Sequence, residues 1–388
     1  MTPSPRAARP YDGAESTLIR RSFPMLAEYT FLNAASMTPM PEPTAEAIAR
    51  FGEGAARSAY LNMPQWMATV AETRRQSAAL IGCAPEEVAF IRNTAEGGSK
   101  VAGGFRWRAG DEVIVNDLEF PSNVYPWLNL ERTRGVKVVT VQSVGGRVPV
   151  ASIEAALTPK TRMVAISSVQ FTTGFRADLP ALAELLRGKG VRLFVDAIQS
   201  LGLVPMEAKE WGIDYLACGG HKWLCATEGI GLLYCAKERM EELDLVTAGW
   251  HTVADELNFT KIDFTLKPDA QRFEEGTPNL VGIHALNASL SLVMERGVER
   301  NFAHVLSLTD RLIDGLRAKG YDIVSPIEND GERSGIVIFA PRDRAALAPL
   351  ARRLEEANVM VIPRGIGIRV SPHFYNTTED VEKMLGMM

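Results

Sequence analysis

Between residues 87 and 235 the chain alternates short apolar, β-branched runs with segments whose apolar positions recur at helical spacing. The runs EVAFIR (87–92), EVIVND (112–117), KVVTV (137–141), MVAIS (163–167), VRLFVDA (191–197), DYLAC (214–218) and GIGLLYC (229–235) read as strands. They carry few charges, as strands covered on both faces do. DLPALAELLRGKG (178–190) predicts a helix with Asp178 as its N-cap and a stop at Gly188 and Gly190. This alternation implies an α/β fold, a mostly parallel sheet with helices on both faces.

The texture changes after residue 265. Long amphipathic helices are predicted near 281–295 and 299–319, the second ending at Gly320. A strand (335–340), a helix (RAALAPLARRLEEAN) and short strands near 358–362 and 366–370 follow, which reads as a smaller α+β domain. The expected division is an N-terminal segment (1–34) packing with the small domain, a large domain (35–265) and a small C-terminal domain (266–388). The Pro-, Arg- and Ala-rich start, MTPSPRAARPYDGAES, predicts a frayed tail without the apolar stretch of a signal peptide.

The 388 residues allow two or three domains and a large core. A net charge of −5 offers no basic surface for nucleic acid or anionic lipid. No apolar run approaches the ~20 residues of a membrane span. The four cysteines (83, 218, 225, 235) form no CxxC pair and read as reduced thiols of a cytoplasmic protein. The five scattered histidines show no metal-ligand spacing. A P-loop and a dinucleotide GxGxxG are both missing. A soluble cytoplasmic protein is left, and an enzyme is the first expectation.

The most informative stretch runs from Val191 to Gly231. One apolar strand ends in Asp196; a second is followed by Gly219-Gly220-His221-Lys222-Trp223. In open α/β sheets ligands bind beyond the carboxyl ends of the strands, where both Asp196 and Lys222 fall. Desolvation there lowers a lysine's pKa and favours the neutral amine that attacks carbonyls. Taken singly, an aspartate at a strand end is more often a cap or ion-pair partner, and a lysine is usually a solvated side chain. The pair is more specific than either.

DAIQ (196–199) followed by GHKWLCATEGIG (220–231) resembles the class V aminotransferases, fold type I enzymes dependent on pyridoxal 5'-phosphate (PLP). Their relatives include cysteine desulfurase, kynureninase and isopenicillin N epimerase. The resemblance runs from FLNAAS (31–36) to RVSPHFYNT (369–377) and implies a seven-stranded, mostly parallel sheet. It also implies roles for single residues. Lys222 matches the lysine that forms the internal aldimine, and Asp196 the carboxylate paired with the pyridine nitrogen. Gln199 matches the partner of the phenolic oxygen, and Phe120 the ring that stacks on the cofactor. Thr94 and Ala95, in NTAEGGSK (93–100), match the helix start that holds the phosphate, with His221 as a further ligand. Gly276 and Thr277 match a Gly-Thr pair that reaches the phosphate of the other subunit, which implies a homodimer with composite sites. Arg369 matches the arginine that binds the substrate carboxylate, and Asn33 and Ala34 the segment lining the substrate pocket. His373 reads as structural.

The pattern departs from cysteine desulfurases in three places. Residues 343–368, where they carry a nucleophilic cysteine, contain none. Phe120 stands where they have a histidine, and Phe171 where they have an asparagine. FPSNVY (120–125) is similar to the FPTD segment of kynureninases, and VQFTTG (169–174) to their VNYYTG. The resemblance implies an α-amino acid substrate. Transamination ranks first, then β-elimination or a kynureninase-like lyase, then epimerisation, with a non-catalytic PLP-binding protein as a different class.

Overall fold

The computed structural model describes residues 8–388. The expected frayed tail falls partly on residues 1–7, outside the described residues. From Gly13 to Arg21 the chain is helical instead. Asp12 Oδ1 accepts the Glu15 N–H at 2.9 Å while Glu15 Oε2 accepts the Asp12 N–H at 3.1 Å. This reciprocal cap satisfies donors that would otherwise be orphaned at the helix start.

After the short strand β1 (Thr30–Phe31) come β2 (Val88–Ile91), β3 (Glu112–Asn116), β4 (Lys137–Val141), β5 (Thr161–Ser167), β6 (Arg192–Asp196), β7 (Tyr215–Gly219) and β8 (Gly231–Cys235). The last seven form one sheet in the order β2-β8-β7-β6-β5-β3-β4. Every pair from β4 across to β7 is parallel, and β8 runs antiparallel to both of its neighbours. The expected mostly parallel sheet is what forms. Side chains alternate across it as the two-residue period of a strand requires. Leu193 and Val195 of β6 enter the apolar cluster on one face, while Phe194 enters the cluster on the other with Val101, Trp127 and Leu130.

That alternation puts Asp196 on the Phe194 side, at the carboxyl end of the strand. The same face is covered by the helix Thr94–Gly104. Gly97 lets this helix approach β7 closely, since a Cβ there would lie 2.6 Å from the Ala217 Cβ. The helix start is thereby brought beside the ends of β6 and β7.

The second unit contains β9 (Asp322–Ile323), β10 (Val337–Ala340), β11 (Val359–Met360), β12 (Ile362–Arg364) and β13 (Gly367–Val370). Four of these form an antiparallel sheet in the order β12-β13-β10-β9. β11 pairs in parallel with β1, which ties the N-terminal segment to this unit. Ile283, Leu286 and Leu290, on the helix Leu280–Met294, lie in the cluster under the large sheet. We therefore propose a domain boundary after this helix rather than at 265/266.

Candidate active site

One cavity of about 370 Å³ opens between the carboxyl ends of β6 and β7, the helix start at Thr94 and the small sheet. It brings together Thr94, Ala95, Phe120, Asp196, Gln199, His221, Lys222 and Arg369 from the expected site. Gly276 and Thr277 are not among its walls. They line a separate hollow with Arg92, Glu96 and Asn279. Asn33 and Ala34 sit one step behind the wall, which is made by Ala35 and Ser36. The Ala34 N–H is held by the Ser371 carbonyl at 3.0 Å, and Asn33 Oδ1 accepts from Ser36 Oγ at 2.9 Å.

Asp196 is 1% exposed. Its Oδ1 accepts the Ile198 N–H at 3.0 Å, and its Oδ2 has no partner. Burial raises its carboxyl well above the ordinary aspartate value; the Ile198 N–H opposes this, the nearby Glu119 adds to it and Lys222 opposes it. Burial lowers Lys222 from the ordinary lysine value, with Asp196 opposing and Arg369 and Arg364 reinforcing. The same loss of water thus drives both groups toward their neutral forms. Lys222 is held by its backbone: Thr38 Oγ1 donates to its carbonyl, and the Cys225 N–H donates to the same oxygen at 3.0 Å.

Gln199 is fixed at both ends of its amide. Its Nε2 donates to the Ala35 carbonyl at 3.0 Å and its Oε1 accepts from Trp223 Nε1 at 3.1 Å, which leaves one N–H free. Phe120 meets Phe171 edge to face, with ring centroids 5.2 Å apart, and the Lys222 Nζ lies 5.7 Å from the Phe120 centroid. The backbone before Phe120 is anchored by the buried Glu119 carboxylate, which accepts from Asn116, Asn123 and Gln170 side chains and from the Ser167 N–H. His221 is lowered below the ordinary imidazole value by burial and then by Lys222. His373 lies outside the cavity wall. Its Nδ1 accepts the Phe374 N–H at 2.7 Å, so Nε2 carries the proton and donates to the Trp223 carbonyl at 3.2 Å.

Four residues of this one cavity each keep a buried polar atom without a protein partner: Thr94 Oγ1, Asp196 Oδ2, Arg364 Nε and Arg369 Nε. Such atoms are few in native proteins, and their convergence fits an absent polar ligand. The donor set suits PLP: a helix start for a phosphate, an anion for a protonated ring nitrogen, an amine for an aldehyde. Arg369 is 1% exposed, donates to Ser36 Oγ at 2.5 Å and to the Phe171 carbonyl at 3.4 Å, and is lowered to about 10 by burial and then by Arg364. Arg364, Ser36 and Ser122 also reach the cavity, and residue-by-residue reading did not single them out.

Residues 30–384 match the family model described as Aminotransferase class-V. A probable cysteine desulfurase of Methanothermobacter thermautotrophicus is 31% identical over 94% of this chain and 95% of its own length. An uncharacterized aminotransferase, YcbU, of Bacillus subtilis is 30% identical over 93% and 94%. Among solved structures, the apo cysteine desulfurase of Thermococcus onnurineus superposes with a TM-score of 0.85 at 24% identity, covering 98% of both chains. A C-DES mutant, with glycine covalently linked to its PLP cofactor, superposes with a TM-score of 0.88 at 22% identity, covering 95% of this chain and 98% of that one. The last two likenesses bear on the fold. This chain belongs to the class V aminotransferase family and is a PLP-dependent enzyme of fold type I.

Proposed function

We propose, from that membership, that the chain is a lyase that expels a β-substituent from an α-amino acid without using an enzyme thiol. Bound PLP supplies an aldehyde that exchanges amines and a ring that takes up the electron pair left at Cα. Lys222 Nζ would hold that aldehyde and would act as the base for the Cα proton. Asp196 Oδ2, which has no protein partner, would accept from the ring nitrogen and favour its protonated form. Thr94 Oγ1 and the N–H groups of Thr94 and Ala95, with His221, would hold the phosphate. Gln199 would offer its free N–H to the phenolic oxygen, and Phe120 would cover the ring. Arg369 grips the α-carboxylate and so fixes one end of the substrate. Gly276 and Thr277 serve the partner site of a homodimer. The products are the β-substituent with a proton, pyruvate and ammonia, one water being consumed.

The observation that carries the lyase branch is the missing thiol. Cys218, Cys225 and Cys235 are buried, and none of the four cysteines lines the cavity. Burial pushes the Cys83 and Cys225 thiols up to about 12, away from the thiolate form. The 31%-identical relative carries the name of a carbon–sulfur cleaving enzyme. Without a thiol to receive it, sulfur departs with the product. Transamination is the second reading, favoured by the name of the Bacillus subtilis relative. The test is to incubate holoenzyme with β-chloroalanine and with cystine, with no keto acid present. Pyruvate and ammonia released in equal amounts over many turnovers support elimination. Amino transfer that begins only when a keto acid acceptor is added, with no pyruvate from β-chloroalanine, overturns it.

A further inference from the structure

Arg364 and Arg369 stand on one face of one hairpin. In the β12–β13 pairing Ile362 lies opposite Arg369, and Arg364 lies opposite Gly367. Opposed residues share a face, and so do residues two apart along a strand. Arg364 is therefore the diagonal neighbour of Arg369, about 7–8 Å away by backbone spacing. The strands are joined by Gly365 and Ile366 alone, and Gly365 takes the positive φ, 55°, that a two-residue turn favours. Both arginines line the Lys222 cavity.

Arg369 is buried and Arg364 half-buried, and their partners differ from those of buried arginines elsewhere in the fold. Arg74 is met by Glu274 at 2.7 Å, and Arg272 by Glu241 at 2.7 Å. Arg369 has only a hydroxyl and a carbonyl, and the Arg364 side chain has no hydrogen bond or ion pair among the described residues, its buried Nε included. Among the described residues, the sole carboxylate on the cavity wall is Asp196, a neighbour of Lys222. An α-amino acid brings one α-carboxylate, which one guanidinium fork satisfies. A second fork is left over, half-buried and with its enclosed Nε unmatched by any protein acceptor, where an anion would fit.

We propose that Arg364 is a second anion subsite, selecting β-substituted amino acids that carry an acidic group beyond Cβ. A carboxylate, sulfinate or sulfonate has the required chemistry. The substrate class rests on the lyase reading above; the subsite itself requires only that Arg369 hold an α-carboxylate.

The test uses holoenzyme and two ligands that lack an amine and so cannot react. Isothermal titration compares glutarate, with two carboxylates, and butyrate, with one. Wild type should bind glutarate about tenfold or more tightly than butyrate, the worth of a further charge-assisted hydrogen bond. Arg364→Gln should bring the ratio to about one while butyrate affinity stays within about twofold. Arg364→Lys, which keeps the charge without the fork, should retain part of the preference, and Arg369→Gln should weaken both ligands. An equal loss for both ligands in Arg364→Gln makes Arg364 a second grip on the α-carboxylate and overturns the proposal; an unchanged preference does so as well. Failure here leaves the pyruvate assay intact, and failure of that assay leaves the binding ratio intact.

Discussion

Replacing Asp196 with asparagine should move the apoprotein and the holoenzyme in opposite directions. In the apoprotein the carboxyl is buried with one oxygen unpartnered, and its pKa stands above the ordinary 3.8. The folded apoprotein therefore holds this proton more tightly than the unfolded chain, and its stability falls as pH rises from 3.8 through the folded value. Asparagine keeps the acceptor for the Ile198 N–H and removes the ionisation. The apo variant should match wild type near pH 4 and exceed it by about 1–3 kcal/mol at pH 8, the usual cost of an unsatisfied buried polar group. With PLP bound, the carboxylate has a cationic partner, and its loss should cost about 2–5 kcal/mol of binding, or ~30- to 5000-fold in the cofactor dissociation constant. Urea unfolding of the apoprotein at both pH values and titration with PLP followed by absorbance measure the two effects. If the apo variant is the less stable at pH 8, or binds PLP as tightly as wild type, the burial account of this residue is wrong.

Lys222→Ala should abolish turnover and bind PLP more weakly, and small primary amines should restore a fraction of the activity; normal activity in the unrescued variant would remove the lysine from the chemistry. Glu274→Gln should destabilise the protein by about 3–5 kcal/mol in urea unfolding, because Arg74 is left buried and uncompensated. Burial raises the Glu274 carboxyl, but Arg74, His251 and the Phe90 N–H outweigh it and hold it at about 2, below the ordinary 4.5. Its contribution is thus complete above pH 4.5 and lost as pH falls through about 2, so the wild-type advantage should persist at pH 5; no difference at that pH would contradict the pairing.

The central sheet was legible because its strands are nearly free of charge and their ends are marked by glycines and acidic caps. The cap at Asp178 forms as read, its side chain accepting the Ala181 N–H at 3.1 Å. The helix from Gly13 was hidden by the proline- and arginine-rich residues ahead of it, although Asp12 and Glu15 have the three-residue spacing of a reciprocal cap. The antiparallel direction of β8 leaves no mark in hydrophobic period, since both directions bury the same residues. Ala35 and Ser36 were displaced by two positions, a distance set by the turn after β1 and not by residue type. Arg364 was hidden for a different reason. Its significance depends on pairing register, which places residues five apart on one face only when exactly two residues form the turn between the strands.

One physical cause runs through the cavity. Removing water drives the aspartate and the lysine toward neutrality and leaves two guanidinium groups short of anions. A fold that maximised its own stability would pair or delete these groups, as it pairs Arg74 with Glu274. Here the missing partners are charges that a cofactor and a substrate carry: a phosphate, a ring cation and carboxylates. Ligand binding therefore supplies stability that folding alone does not, by the linkage that binds ligand to the native state only. It also follows that the site discriminates by charge before shape. A neutral amino acid leaves one arginine unmatched, whereas an acidic one completes the set.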